Sequence, residues 1–154
     1  MDFQLKLSTE TVEHADPGDA LCVEPTMSVR TVFKLLKEQN RGCALICKDD
    51  QLVGIFTERD ALKLMAEGAD LGVAIESHMA SEPATLSASE TVGKAITKMA
   101  FGGYRRLPIV GANGKPVGLL KASNILHYLV AHFPTIVYTL PPDPHHSTQE
   151  REGA

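Results

Sequence analysis

The sequence predicts an α+β fold built twice: two consecutive repeats, each a small three-stranded mixed sheet with two helices. Three observations carry this. The 154-residue chain is self-similar, with Val23–Val29 lying over Leu86–Val92 at an offset of 63. Apolar residues recur at helical spacing in two matched places, Val29, Val32, Phe33 and Leu36, then Val92, Ala95, Ile96 and Met99. Each copy then shows two short apolar runs joined by a turn signal.

The elements follow in order. Val23 ends a strand, and the polar turn Glu24–Ser28 opens a helix at Val29. The apolar run Cys43–Cys47 is a strand, Asp49 and Asp50 turn the chain, and Leu52–Phe56 returns. Ala61, Leu62, Leu64 and Met65 mark a second helix, which Gly68 and Gly72 interrupt. In the second copy Leu107–Val110 and Val117–Leu120 flank Asn113-Gly114, the strongest short hairpin signal. Ile125, Leu126, Tyr128 and Leu129 then repeat the second helix at an offset of 64, so one residue is inserted in the second copy, expected near Tyr104. Strand, helix and strand imply a right-handed crossover with parallel pairing. The hairpin adds an antiparallel edge. Such a sheet covered on one face is half a core, and two copies complete it. The expected divisions are 12–73, 74–133, and an extended proline-rich tail, 134–154, that carries Pro134, Pro141, Pro142 and Pro144.

Composition narrows the function. Apolar residues make up 44% and charged residues 22%, with 15 Lys and Arg against 19 Asp and Glu for a net charge of −4. A mildly acidic chain without a basic tract is a poor candidate for nucleic-acid binding, which depends on neutralising phosphates. No run approaches 18 apolar residues, so no membrane span is expected. The first ten residues lack the pattern of a signal peptide, which makes the cytoplasm the expected location. Cys22, Cys43 and Cys47 fit a reducing compartment and do not gather as a metal site, and Cys43 and Cys47 read as small buried apolar residues of a strand. No nucleophile elbow, zinc motif or phosphate loop is present, and Gly111–Pro116 reads as a hairpin turn. No catalysis is expected.

Gly54-Ile55-Phe56-Thr57-Glu58-Arg59-Asp60 has the form Gly-hydrophobic-x-Ser/Thr-x-x-Asp, and Arg106-Leu107-Pro108-Ile109-Val110 opens the middle strand of the second copy. With His78-Met79-Ala80 at the junction, over about residues 12–133, the chain resembles the tandem CBS-domain (cystathionine β-synthase domain) proteins, of the small stand-alone bacterial type. The resemblance implies repeats related by a pseudo-two-fold axis and two chains associated into a flat homodimer. It also implies a regulator that binds an adenosine-containing ligand between the repeats, with no catalytic cofactor.

On that reading Thr57 sits where a strand gives way to a helix, and its hydroxyl with the first amides can hold a phosphate oxygen. Asp60 can accept two hydrogen bonds from a ribose diol, and Arg59 can meet phosphate as a guanidinium fork. Thr-x-x-Asp is also close to a capping box, and the two roles are compatible. The second copy has Lys121 where the hydroxyl belongs and Asn124 where the Asp belongs, which puts a full second site in doubt. Ser123 is then expected to take the capping role. Arg105 and Arg106, after Tyr104, are candidates to reach phosphates. Gly42 could let a base approach the backbone, with Leu21, Cys22, Ala44 and Leu45 beside it as walls. His127 and His132 read as surface or interface residues.

The expected function is a non-enzymatic module that binds AMP, ADP or ATP and acts on an unknown protein in trans. The rivals are S-adenosylmethionine or NAD as ligand, or a dimerisation module without one. Leu62, Met65, Leu126 and Leu129 are the apolar helix positions expected to need cover in a homodimer.

Overall fold

The computed structural model describes residues 7–132. The tail expected at 134–154 lies outside them. The first repeat runs β1 (Cys22–Val23), α1 (Val29–Glu38), β2 (Cys43–Lys48), β3 (Gln51–Thr57) and α2 (Glu58–Glu67), and a 3-10 turn at Ile75–Ser77 then leads to β4 (Ala80–Ser81), which joins the first sheet. The second runs β5 (Leu86–Ser87), α3 (Val92–Gly102), β6 (Arg106–Val110), β7 (Pro116–Lys121) and α4 (Ala122–His132). The fold is α+β with two mixed sheets. In each, the crossover pairs are parallel, β1 with β2 and β5 with β6, and the hairpins are antiparallel. To the three strands expected, β4 adds a fourth at the edge of the first sheet, pairing with β3.

Caps start the helices where the polar turns predict. The Ser28 hydroxyl accepts from the Thr31 amide at 3.1 Å, and the Thr91 hydroxyl accepts from the Lys94 amide at 3.1 Å. Gly68 and Gly103, at φ 63° and 75°, end α2 and α3 in the left-handed conformation that glycine adopts freely.

The inserted residue is not near Tyr104. β2 and β6 begin 63 residues apart, at Cys43 and Arg106, so the strand beyond Tyr104 is still in the first register. Ile46 pairs with Gly54, and Ile109 with Gly118, and the offset changes to 64 between those pairs. The cause is turn chemistry. Asp49 and Asp50, at φ 51° and 63°, close a two-residue turn, whereas Val110 and Pro116 are joined by residues 111–115.

The cores do not follow the linear repeats. Val29, Val32, Ile46, Phe56 and Leu64 form one core, to which Ile75 contributes from beyond residue 73. Leu86, Val92, Leu107, Ile109, Leu120 and Ile125 form the other, to which Val12 and Ala15 contribute from the start of the chain. Backbone bonds fix this exchange: the Val12 amide donates to Glu90 O and the Val29 amide to Val73 O, each at 2.9 Å. The two leading segments are themselves a repeat, since Thr11 bridges to Thr91 as Ala74 bridges to Ser28. Cys43, Leu45, Ile55 and Leu119 make a third cluster that joins the two sheets.

Candidate functional site

β3 ends at Thr57 because the next residues turn into α2, and a capping box holds that junction. The Thr57 amide donates to Asp60 Oδ2 at 2.9 Å, and the Thr57 hydroxyl donates to the same oxygen at 3.2 Å. The capping role anticipated for Thr-x-x-Asp is therefore present, and Arg59 projects from the same first turn.

From the second repeat, the chain leaves α3 through Gly103 and enters β6 at Arg106. The two stretches meet across a cavity of about 780 Å³ lined by Thr57, Glu58, Arg59 and Asp60 from one repeat and Tyr104, Arg105 and Arg106 from the other. Its remaining lining includes the apolar Ile55, Leu62, Ala80, Pro83, Ala84 and Pro108. Three guanidinium groups face two carboxylates. Arg106 Nη2 lies 3.2 Å from Glu58 Oε1, which ties the repeats together across the cavity.

Five of the twelve positions expected from sequence thus line one cavity: Thr57, Arg59, Asp60, Arg105 and Arg106. The other seven lie elsewhere. Ala44 and Leu45 are fully buried on opposite faces of β2 and cannot wall a ligand site. Leu21 is half-buried against the first core, and its carbonyl accepts from the Leu45 amide. Gly42 lies against the Arg106 side chain and not in the lining of the cavity: a Cβ on it would stand 2.7 Å from Nη2. Cys22, expected as a wall, is exposed and lines a separate cavity of about 580 Å³ with Cys47. Burial and the neighbouring Cys22 push the Cys47 thiol up to about 12. Burial also raises the Cys43 thiol, against the lowering effect of Arg106 and Lys121.

In the second repeat Lys121 is exposed, and its amide donates to Asn124 Oδ1 at 2.7 Å. Asn124, not Ser123, caps α4, because the side chain at this position reaches back as Asp60 does. Its Nδ2 donates to Asp16 O at 3.4 Å, a bond that a carboxylate could not make. His127 and His132 are exposed, with His132 stacked on Tyr128 at 4.4 Å between ring centroids.

Glu58 and the wall from Ala80 to Ala84 were missed from sequence. An acid in the first helical turn reads as a complement to the helix dipole. Ala84 carried a usable signal, since it stands 63 residues beyond Leu21, already named as a wall. Among the described residues, no three His, Cys, Asp or Glu side chains gather as a metal site, and no helix is long and apolar enough to cross a membrane.

Comparison with known proteins agrees with this architecture. An uncharacterised protein from Methanopyrus kandleri is 33% identical over 119 residues, covering 73% of this chain and 61% of that one. The chain spans 66% of the length of a second such relative, from Acidianus ambivalens. Among solved structures, CBSX2 from Arabidopsis thaliana in complex with AMP superposes with a TM-score of 0.69 at 25% identity, covering 79% of this chain and 97% of that one. The CBS domain pair of protein MJ0100 in complex with 5′-methylthioadenosine and S-adenosyl-L-methionine gives 0.69 at 23% identity, covering 76% and 97%. The CBS domain pattern itself matches residues 16–67 and 74–131, the two repeats in turn. With two matched copies over most of its length, the chain belongs to the CBS domain family.

Proposed function

We propose that this chain is a regulatory module that binds an adenosine nucleotide, AMP, ADP or ATP, in the cleft between its repeats and signals occupancy to a partner protein without catalysing a reaction. One observation carries the reading: Thr57, Arg59 and Asp60 of one repeat converge with Arg105 and Arg106 of the other on a single cavity. Guanidinium forks match phosphate oxygens. Asp60 Oδ2 is taken by Thr57, and Oδ1 makes no hydrogen bond among the described residues, which suits it to a ribose hydroxyl. The AMP complex of CBSX2 supports the same ligand class. A sulfonium cation such as S-adenosylmethionine would want acceptors where this cleft presents three arginines.

The module is further proposed to work in the cytoplasm as a homodimer that reports energy or metabolite status. Leu62 and Met65 on α2 and Leu126 on α4 are 70%, 61% and 61% exposed, an apolar surface that a second copy would cover. Leu129, in contrast, packs against the second core.

A thermal-shift panel of AMP, ADP, ATP, S-adenosylmethionine and NAD tests the ligand. A ligand at 100 times its Kd stabilises the fold by about 2.7 kcal/mol. A shift with the phosphate-bearing adenosines is expected. A shift with S-adenosylmethionine alone would reassign the ligand, and no shift with any would leave a dimerisation module.

A further inference from the structure

The pair that crosses the cleft is unequal. Glu58 has a side chain 68% exposed, whereas that of Arg106 is 26% exposed. The carboxylate is therefore the partner freer to turn into water, and the guanidinium is the more enclosed of the two. Gly42 makes the room for both, since a Cβ there would stand 2.7 Å from Arg106 Nη2 and 3.1 Å from Glu58 Oε1. Across the β6–β7 ladder Arg106 faces Lys121, and like charges directly opposite repel. Both influences turn the guanidinium toward Glu58. Among the described residues, Arg59 and Arg105 form no ion pair, so Arg106 is the one arginine of the cleft whose charge is already answered.

Resting on the nucleotide reading above, we infer that Glu58 is a built-in competitor for the ligand's phosphate. It occupies Arg106 in the empty cleft and yields it to a phosphate-bearing ligand. It thereby sets how strongly the cleft prefers a nucleotide to the neutral nucleoside. The exchange keeps the guanidinium paired throughout, while the displaced carboxylate regains water at little cost. A neutral nucleoside has nothing to offer Arg106 and leaves the pair closed.

The test is a double-mutant cycle read by calorimetry with AMP and adenosine as probes. Glu58→Gln removes the competitor with little change of shape. Exposed pairs of this kind are weak, so the ratio of AMP to adenosine affinity is expected to rise about two- to five-fold. In an Arg106→Ala background the same substitution is expected to leave that ratio nearly where it was. An unchanged or lower ratio in Glu58→Gln would overturn the inference. So would an equal rise in the Arg106→Ala background, which would mark a general charge effect. Binding of AMP and adenosine with the wrong cycle refutes only the competition, whereas failure of both to bind the native chain refutes the nucleotide site and the competition with it.

Discussion

Thr57 and Asp60 are joined twice, by the amide at 2.9 Å and by the hydroxyl at 3.2 Å, and both bonds end on the same carboxylate oxygen. One side chain is thus asked to close a helix and to present its other oxygen to the cleft. The two tasks make different demands, because an amide carbonyl can accept from Thr57 as well as a carboxylate can. Asp60→Asn is therefore expected to keep most of the stability while losing the charge-assisted bond to ribose. Asp60→Ala should lose both, with about 1 kcal/mol of stability from the cap and about ten-fold or more in nucleotide affinity. Urea denaturation and calorimetry on the two variants separate the roles.

The arginines should read phosphate and not adenosine. Arg105→Ala and Arg106→Ala are expected to weaken ADP or ATP binding more than adenosine binding. Calorimetry at two salt concentrations checks this, since the loss should be larger at low salt, where screening is weaker. Asn124→Ala, at a residue that caps α4 and holds the Asp16 carbonyl, should affect nucleotide affinity less than Asp60→Ala does.

Two glycines should respond unequally to a methyl group. A Cβ at Gly42 meets the mobile ends of Arg106 and Glu58, which can withdraw. At Gly54 it meets Met79 Sδ, with Cγ at 2.8 Å and the Ala80 carbonyl at 3.1 Å, inside the pairing of β3 with β4. Gly54→Ala is expected to cost about 1–3 kcal/mol and Gly42→Ala less. Chemical denaturation midpoints give the comparison.

Tyr128 donates to Glu10 Oε1 at 2.7 Å, and burial with this bond pushes the phenol up to about 12 from an ordinary 10. Because the folded state resists ionisation, the contribution to stability is fully present below pH 10 and is lost as pH rises through 12. The stability of Tyr128→Phe should accordingly fall less between those values than that of the native chain. Unfolding free energies across the range, native minus variant, provide the measurement.

Charging the exposed helix faces should separate a homodimer. Leu62→Glu with Leu126→Glu is expected to give a monomer of about 16.6 kDa in sedimentation without loss of fold, because neither residue is buried. A dimer unaffected by both changes would place the contact elsewhere.

The helices and hairpins were legible in the sequence because their patterns are local. Ser28 and Thr91 cap at the predicted places, and Asp49-Asp50 and Asn113-Gly114 turn there. The leading segments were not legible, since a 3-10 turn such as Val12–Ala15 and a strand as short as Ala80–Ser81 have no room for a period. Ala44 and Leu45 were misread as cleft walls because β2 is buried on both faces, so alternation says nothing about which face a ligand meets. Within the cleft, Thr57, Arg59 and Asp60 stood out through the motif that carries the family resemblance, since their spacing alone reads equally as a capping box. The ion pair of Glu58 with Arg106 joins residues 48 apart and belongs to neither repeat alone.

The exchange of leading segments bears on how the chain is made. Synthesis delivers Val12 and Ala15 before any of the strands they will cover, and the contact between Glu10 and Tyr128 spans 118 residues. The first repeat can bury its core once Ile75 and Met79 have left the ribosome. The Val12–Ala15 segment has to wait, tethered to a finished half, until α4 emerges. The second half therefore assembles from segments made far apart in time, and a nascent protein halted before Tyr128 would hold one settled half and an apolar segment at Val12–Ala15 still without its place.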